Sequence, residues 1–154
     1  MIPLRKNRKV LLSNSNVNVF KNYFKVVDNY KEHFDYLVMR SFSRTFKALL
    51  AICKGIPIVS EEWITDSERL TTVMKVERYY FEKLDHVYKA IEIAQDGKKV
   101  FDKLEFFLVS EEFHLPKEQI EALIQAGGGK IIKKMSGKER LIGILRKKDI
   151  KNTK

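Results

Sequence analysis

Cysteine is almost missing from this 154-residue chain. Cys53 stands alone, which excludes an internal disulfide framework, and its place on the apolar stripe of a predicted helix points to a packed thiol rather than a reactive one. Long apolar runs are missing too. No segment is long enough to span a bilayer, and the basic residues at positions 1–9 are not followed by the apolar stretch of a signal peptide. These absences predict an intracellular, reducing compartment and no membrane partner. His33, His86 and His114 are scattered, far from ligand spacing with the one thiol, so neither a metal nor any other cofactor is expected. No GxSxG elbow occurs, and the acid pairs Glu61–Glu62 and Glu111–Glu112 are expected on exposed turns, so catalysis is not expected. The run GGGK at 127–130 follows a predicted helix and enters a strand, the reverse of a phosphate loop, and no Ser or Thr follows Lys130. It reads as a helix stop.

What is present is the composition of a folded protein. Hydrophobic residues make up 44% and aromatics 11%, enough for a sizeable core, although 154 residues are few for two full α/β repeats. The net charge of +10 is concentrated at the ends. Residues 130–154 hold ten Lys/Arg against two acids, residues 1–9 hold four cations, and the 120 residues between carry −2. Such ends attract nucleic acid or acidic partners and predict weak, salt-sensitive DNA contact.

Patterning organises the chain further. Residues 10–13 read as a strand running into the polar cluster Ser13–Asn16, and 17–27 lack the spacing of a well-formed helix, with a strand near 24–27. A strand is predicted at 34–39. Phe46, Leu49, Leu50 and Cys53 then follow the i, i+3, i+4, i+7 rule of one buried helical stripe, which Gly55 ends before a buried strand at 56–59. Ser43 is the expected cap, which puts Arg44, Thr45 and Lys47 in the first turn. Two cations there oppose the helix dipole but favour an external anion; the alternative is a solvated basic surface. Leu84, Val87, Tyr88 and Ile91 keep helical spacing within 79–95, near Gly97. A strand at 106–109, a helix at 116–126 with Pro116 in its first turn and Ile120, Leu123, Ile124 and Gly127 facing inward, and strands at 131–132 and 141–145 complete the pattern.

RTFKALLAICKGIPIVSEEWI, residues 44–64, resembles the second-helix, fourth-strand and third-helix region of a BRCT repeat, with Trp63 at the signature tryptophan. KVLLS at 9–13 resembles the first strand, residues 36–39 the third, and VFDKLEFFLVSEEFHLPKEQIEALIQAGGGKII at 100–132 the opening of a second repeat. The resemblance implies an α/β fold of two BRCT-like repeats, each a small parallel sheet flanked by helices. The first would span 8–75, a linker helix 76–98 and a partial second repeat 99–150, with no residues left for the end of that second repeat. The pairs it is most similar to are those of DNA-damage mediator and adaptor proteins.

Phosphopeptide-binding members of that family take phosphate at the end of the first strand and the start of the second helix. The matching positions are the Ser13 hydroxyl, the Asn14 backbone N–H and the Lys47 ammonium, with Thr45 where a supporting hydroxyl often stands. Asn14 replaces the more frequent Gly, and Asn is the next most tolerant residue in the left-handed region. Arg44, Leu49 and Leu115 match positions that read the peptide beyond the phosphoresidue; ordinary packing is the alternative for both leucines. The resemblance thus implies a nuclear, non-catalytic adaptor for a phosphorylated protein or histone-tail peptide. A degenerate scaffold for constitutive protein–protein interaction, or a basic DNA-binding module, are the alternatives.

Overall fold

The structure, a computed structural model, describes residues 8–19, 22–108 and 114–133 and the backbone of 141–144. It forms two compact units, Met1–Gln95 and Asp96–Lys154. In the first, the order is β1 (Arg8–Ser13), β2 (Phe24–Val27), β3 (Tyr36–Met39), α1 (Phe46–Lys54), β4 (Ile58–Ser60), α2 (Glu62–Arg69), a 3-10 turn (Val76–Tyr79) and α3 (Asp85–Gln95). The four strands are all parallel in the order β2-β1-β3-β4. A parallel sheet is covered on both faces, so its strands read as apolar runs. Val10, Leu11, Leu37, Val38, Met39, Ile58 and Val59 are accordingly all buried.

One face packs on Trp63. Its ring meets Phe24 and Tyr36 edge-on at 4.9 and 4.7 Å, among Val10, Val38, Val59 and Ile64. A buried indole N–H needs an acceptor, and this one donates to the Met74 carbonyl at 2.9 Å. Ser67, fully buried, accepts from the Met74 N–H at 3.0 Å, so α2 and the chain after it are tied at the same point.

The buried stripe of α1 differs from the one its spacing predicts. Ala48, Leu50 and Ala51 face inward, Leu49 is 38% exposed, and Phe46 and Cys53 are half-buried. Alanines let a helix lie close to its neighbours, and α1 packs against both β3 and α3. The Phe46 ring is taken up instead by an edge-on contact with Tyr30 at 4.8 Å. Gly55 closes α1 at φ 73°, and a Cβ there would come within 2.9 Å of the Gln95 nitrogen, so both its conformation and the approach of α3 require glycine.

The helical pattern expected from 79 begins only at Asp85, because Lys83 takes a positive φ of 60° and breaks the run. Val87 and Ile91 are buried, and the Tyr88 hydroxyl donates to the Ile58 carbonyl and accepts from the Phe81 N–H, each at 2.8 Å. Burial pushes the Tyr88 hydroxyl up to about 12.

The second unit contains β5 (Glu105–Leu108), α4 (Lys117–Ala126), β6 (Lys130–Ile132) and β7 (Leu141–Ile144), parallel in the order β6-β5-β7. Pro116 stands at the N-cap of α4, one residue before its expected place in the first turn. Ile124 and Phe106 are buried, with Phe101 edge-on to Phe106 at 5.1 Å. Gly127 and Gly129 donate back to Leu123 and Ile124, so GGGK is a helix stop. The chain is therefore mixed α/β, built from small parallel sheets flanked by helices.

Candidate functional site

The strand order has one reversal, and it decides where a ligand fits. From β1 the chain crosses to β2 on one side, then passes back over to β3 on the other. In open parallel sheets the crevice beyond the carboxyl ends of the strands at such a switch point is the preferred binding place. Here it lies between β1, ending at Ser13, and β3, ending at Met39, which pair in register. Because α1 follows β3, its N-terminus opens at the same crevice.

The residues of this corner are joined by hydrogen bonds. Ser13 is buried, and its hydroxyl lies 3.2 Å from that of Thr45. Thr45, rather than the expected Ser43, is the N-cap of α1: its backbone is extended and its side-chain oxygen accepts from the Ala48 N–H at 3.2 Å. Arg44 consequently stands outside the helix and is exposed, on a tight turn closed by the Thr45 N–H to the Ser43 carbonyl at 2.8 Å. Lys47 is half-buried, and its ammonium donates to the Leu12 carbonyl at 2.9 Å. That places a cation beside the last residues of β1 with two of its three N–H donors left for other acceptors. The first turn of α1 holds no acid, and helix geometry leaves the N–H groups of Phe46 and Lys47 without intrahelical acceptors.

Asn14 adopts φ 53°, a left-handed bend that asparagine tolerates better than other residues with a side chain. Its amide donates to the Ser43 hydroxyl at 2.9 Å. One residue further, the Ser15 hydroxyl donates to the Glu61 carboxylate at the start of α2 and accepts from the Val17 N–H. Glu61 is thus half-buried and engaged, not on an exposed turn, and its own N–H donates to the Met39 carbonyl at 2.9 Å. Ser43 and Glu61 hold the loop after β1, a role that no local sequence signal gives either one, because their partners lie 29 and 46 residues away.

The structure therefore brings Ser13, Asn14, Thr45 and Lys47 together at one corner. Leu49 lies exposed further along α1. Leu115 belongs to the second unit, half-buried just before Pro116. The basic ends fall largely on residues 1–7, 134–140 and 145–154, outside the described residues. Among the described residues no helix is long and apolar enough to cross a membrane, and no three of His, Cys, Asp and Glu gather as metal ligands would.

Residues 21–68 match the model of the BRCA1 C Terminus (BRCT) domain. A BRCT domain is thus present over residues 21–68. The match runs from the approach to β2 through most of α2 and includes Arg44, Thr45, Lys47 and Trp63, while Ser13 and Asn14 precede it. No curated protein matches the chain. Among solved structures, residues 820–1070 of yeast Rtt107p are similar over 95% of this chain and 74% of that one, at 15% identity and a TM-score of 0.68. A complex of Rtt107p and a phosphorylated histone gives 12% identity and a TM-score of 0.66 over 95% and 75% of the two chains. The BRCT5–BRCT6 domains of S. pombe Brc1 give 14% identity and a TM-score of 0.66 over 95% and 71%. At these identities the likeness is one of fold.

Proposed function

We propose that this chain is a non-catalytic adaptor that binds phosphorylated Ser/Thr motifs, on a nuclear protein or histone tail, within the DNA-damage response. The observation that carries the reading is the convergence of Ser13, Asn14 and Lys47 at the sheet's switch point. A phosphorylated side chain presents three acceptor oxygens and nearly two negative charges, so it needs donors that converge and no competing carboxylate. Lys47 supplies charge; Ser13 and the Asn14 backbone N–H supply neutral donors. Thr45 holds the Ser13 hydroxyl in place: the two oxygens lie 3.2 Å apart, and either hydroxyl can donate, while the Thr45 oxygen also accepts from the Ala48 N–H. The helix start adds favourable backbone dipole. Arg44 and Leu49 are assigned to the peptide beyond the phosphoresidue, Arg44 through the bidentate geometry of its guanidinium. The complex of Rtt107p, a protein of similar fold, with a phosphorylated histone supports the same reading.

The test is capture from an oriented phosphoserine and phosphothreonine peptide library, followed by fluorescence titration of the selected sequence with and without its phosphate. Tighter binding of the phosphorylated form, by tenfold or more, is expected from charge-assisted hydrogen bonds of about 1.5–3 kcal/mol. Equal affinity for the two forms would contradict the proposal and favour a constitutive scaffold.

A further inference from the structure

The loop between β3 and α1 holds a hydroxyl that the phosphate site leaves unassigned. Ser43 lies in irregular backbone, in the sequence Arg40-Ser41-Phe42-Ser43-Arg44, with Arg40, Ser41 and Arg44 all exposed. Its oxygen accepts the Asn14 amide in a solvent-exposed hydrogen bond at 2.9 Å. An accepting hydroxyl keeps its own proton for donation. Irregular chain around a half-buried serine, with exposed arginines three residues before and one after it, is what a protein kinase with an acidic substrate groove accepts, since each guanidinium pairs with carboxylates in two-pronged fashion.

We infer that Ser43 is a phosphorylation site and that its phosphate occupies the corner in place of a phosphopeptide. This rests on the reading of that corner as a phosphate site. In the modifying step the Ser43 oxygen attacks the terminal phosphorus of a nucleoside triphosphate bound to the kinase. The bond from that phosphorus to its bridging oxygen breaks, the serine proton passes to the kinase's base, and the nucleoside diphosphate leaves. The product carries close to two negative charges two residues ahead of the helix cap, where no acid neutralises the dipole. Asn14 already donates to this side chain. The phosphoserine thus competes in cis, at an effective concentration that a separate peptide does not match.

Treatment of the full chain with a basophilic protein kinase and magnesium ATP, followed by mass-spectrometric mapping, is expected to place phosphate on Ser43 and none in that loop of Ser43→Ala. In protein carrying phosphoserine installed at 43, affinity for the library-selected phosphopeptide is expected to fall at least tenfold, and the melting temperature to rise by about 2–4 °C, with the rise lost when Lys47→Met is added. Unchanged affinity, no rise in melting temperature, or a kinase reaction that spares Ser43 overturns the inference. Should the unmodified chain fail to distinguish phosphorylated from unphosphorylated peptide, the functional reading fails by itself. The Lys47-dependent melting shift then still decides whether Ser43 phosphate seats in the corner.

Discussion

The helix starts of α1 and α4 are nearly the same size of problem solved in two ways. Each helix, of nine and ten residues, belongs to a unit with a parallel sheet. At α4 the cap position is Pro116 with no side-chain hydrogen bond, and Glu118 puts a carboxylate in the first turn, where it complements the dipole. At α1 the cap is Thr45, the first turn has no acid, and Lys47 turns back to the end of β1. One start carries a carboxylate beside its own cation, Lys117. The other concentrates donors and positive charge, which is locally unfavourable unless an anion arrives. An isolated helix gains nothing from that arrangement, so it is on the difference between the two starts that the proposed phosphate site at α1 rests.

That contrast depends first on the first unit being intact. Trp63→Ala removes the ring at the centre of the sheet–α2 contact and leaves the Met74 carbonyl without its donor; a loss of about 3–5 kcal/mol is expected by urea unfolding followed by near-ultraviolet circular dichroism. Lys47→Met separates binding from folding. Phosphopeptide affinity should fall by about 1.5–3 kcal/mol, tenfold or more, in fluorescence titration, while the urea midpoint moves little. Thr45→Ala loses the cap and the Ser13 contact together, costing about 0.5–2 kcal/mol of stability in the same urea experiment and weakening phosphopeptide binding as Ser13 loses its orientation. The smallest effect belongs to α4: Glu118→Gln is expected to cost about 0.3–1 kcal/mol in low salt and to leave phosphopeptide affinity unchanged. If Glu118→Gln altered affinity as much as Lys47→Met, the two starts would not differ in kind.

The parts of this fold legible in the sequence are those written in local chemistry. β2 coincides with its predicted 24–27, β1 begins one residue before the resemblance places it, and Gly55 ends α1 as expected. Periodicity misreads the stripe of α1 because alanine carries too little hydrophobic signal to compete with Leu49 and Phe46 in such a count, yet close packing prefers it. The cap is Thr45 instead of Ser43, since both are good capping residues and no Glu or Gln three residues on discriminates them. The corner itself, Ser13 with Thr45 and Lys47, is legible only through family resemblance. Its residues lie 32 and 35 apart along the chain for the contacts they make, and spacing rules reach no further than a helical turn or a strand pair. The same distance hides the Asn14–Ser43 and Ser15–Glu61 bonds.

The central claim is that a phosphate sits where β1 ends and α1 begins. Backbone amide chemical shifts, followed while the library-selected phosphopeptide is added to isotope-labelled protein, test this most directly. The largest changes are expected at Ser13, Asn14, Phe46 and Lys47 and should disappear with the unphosphorylated peptide. Changes centred on the start of α4, or the same changes with both peptides, would contradict it.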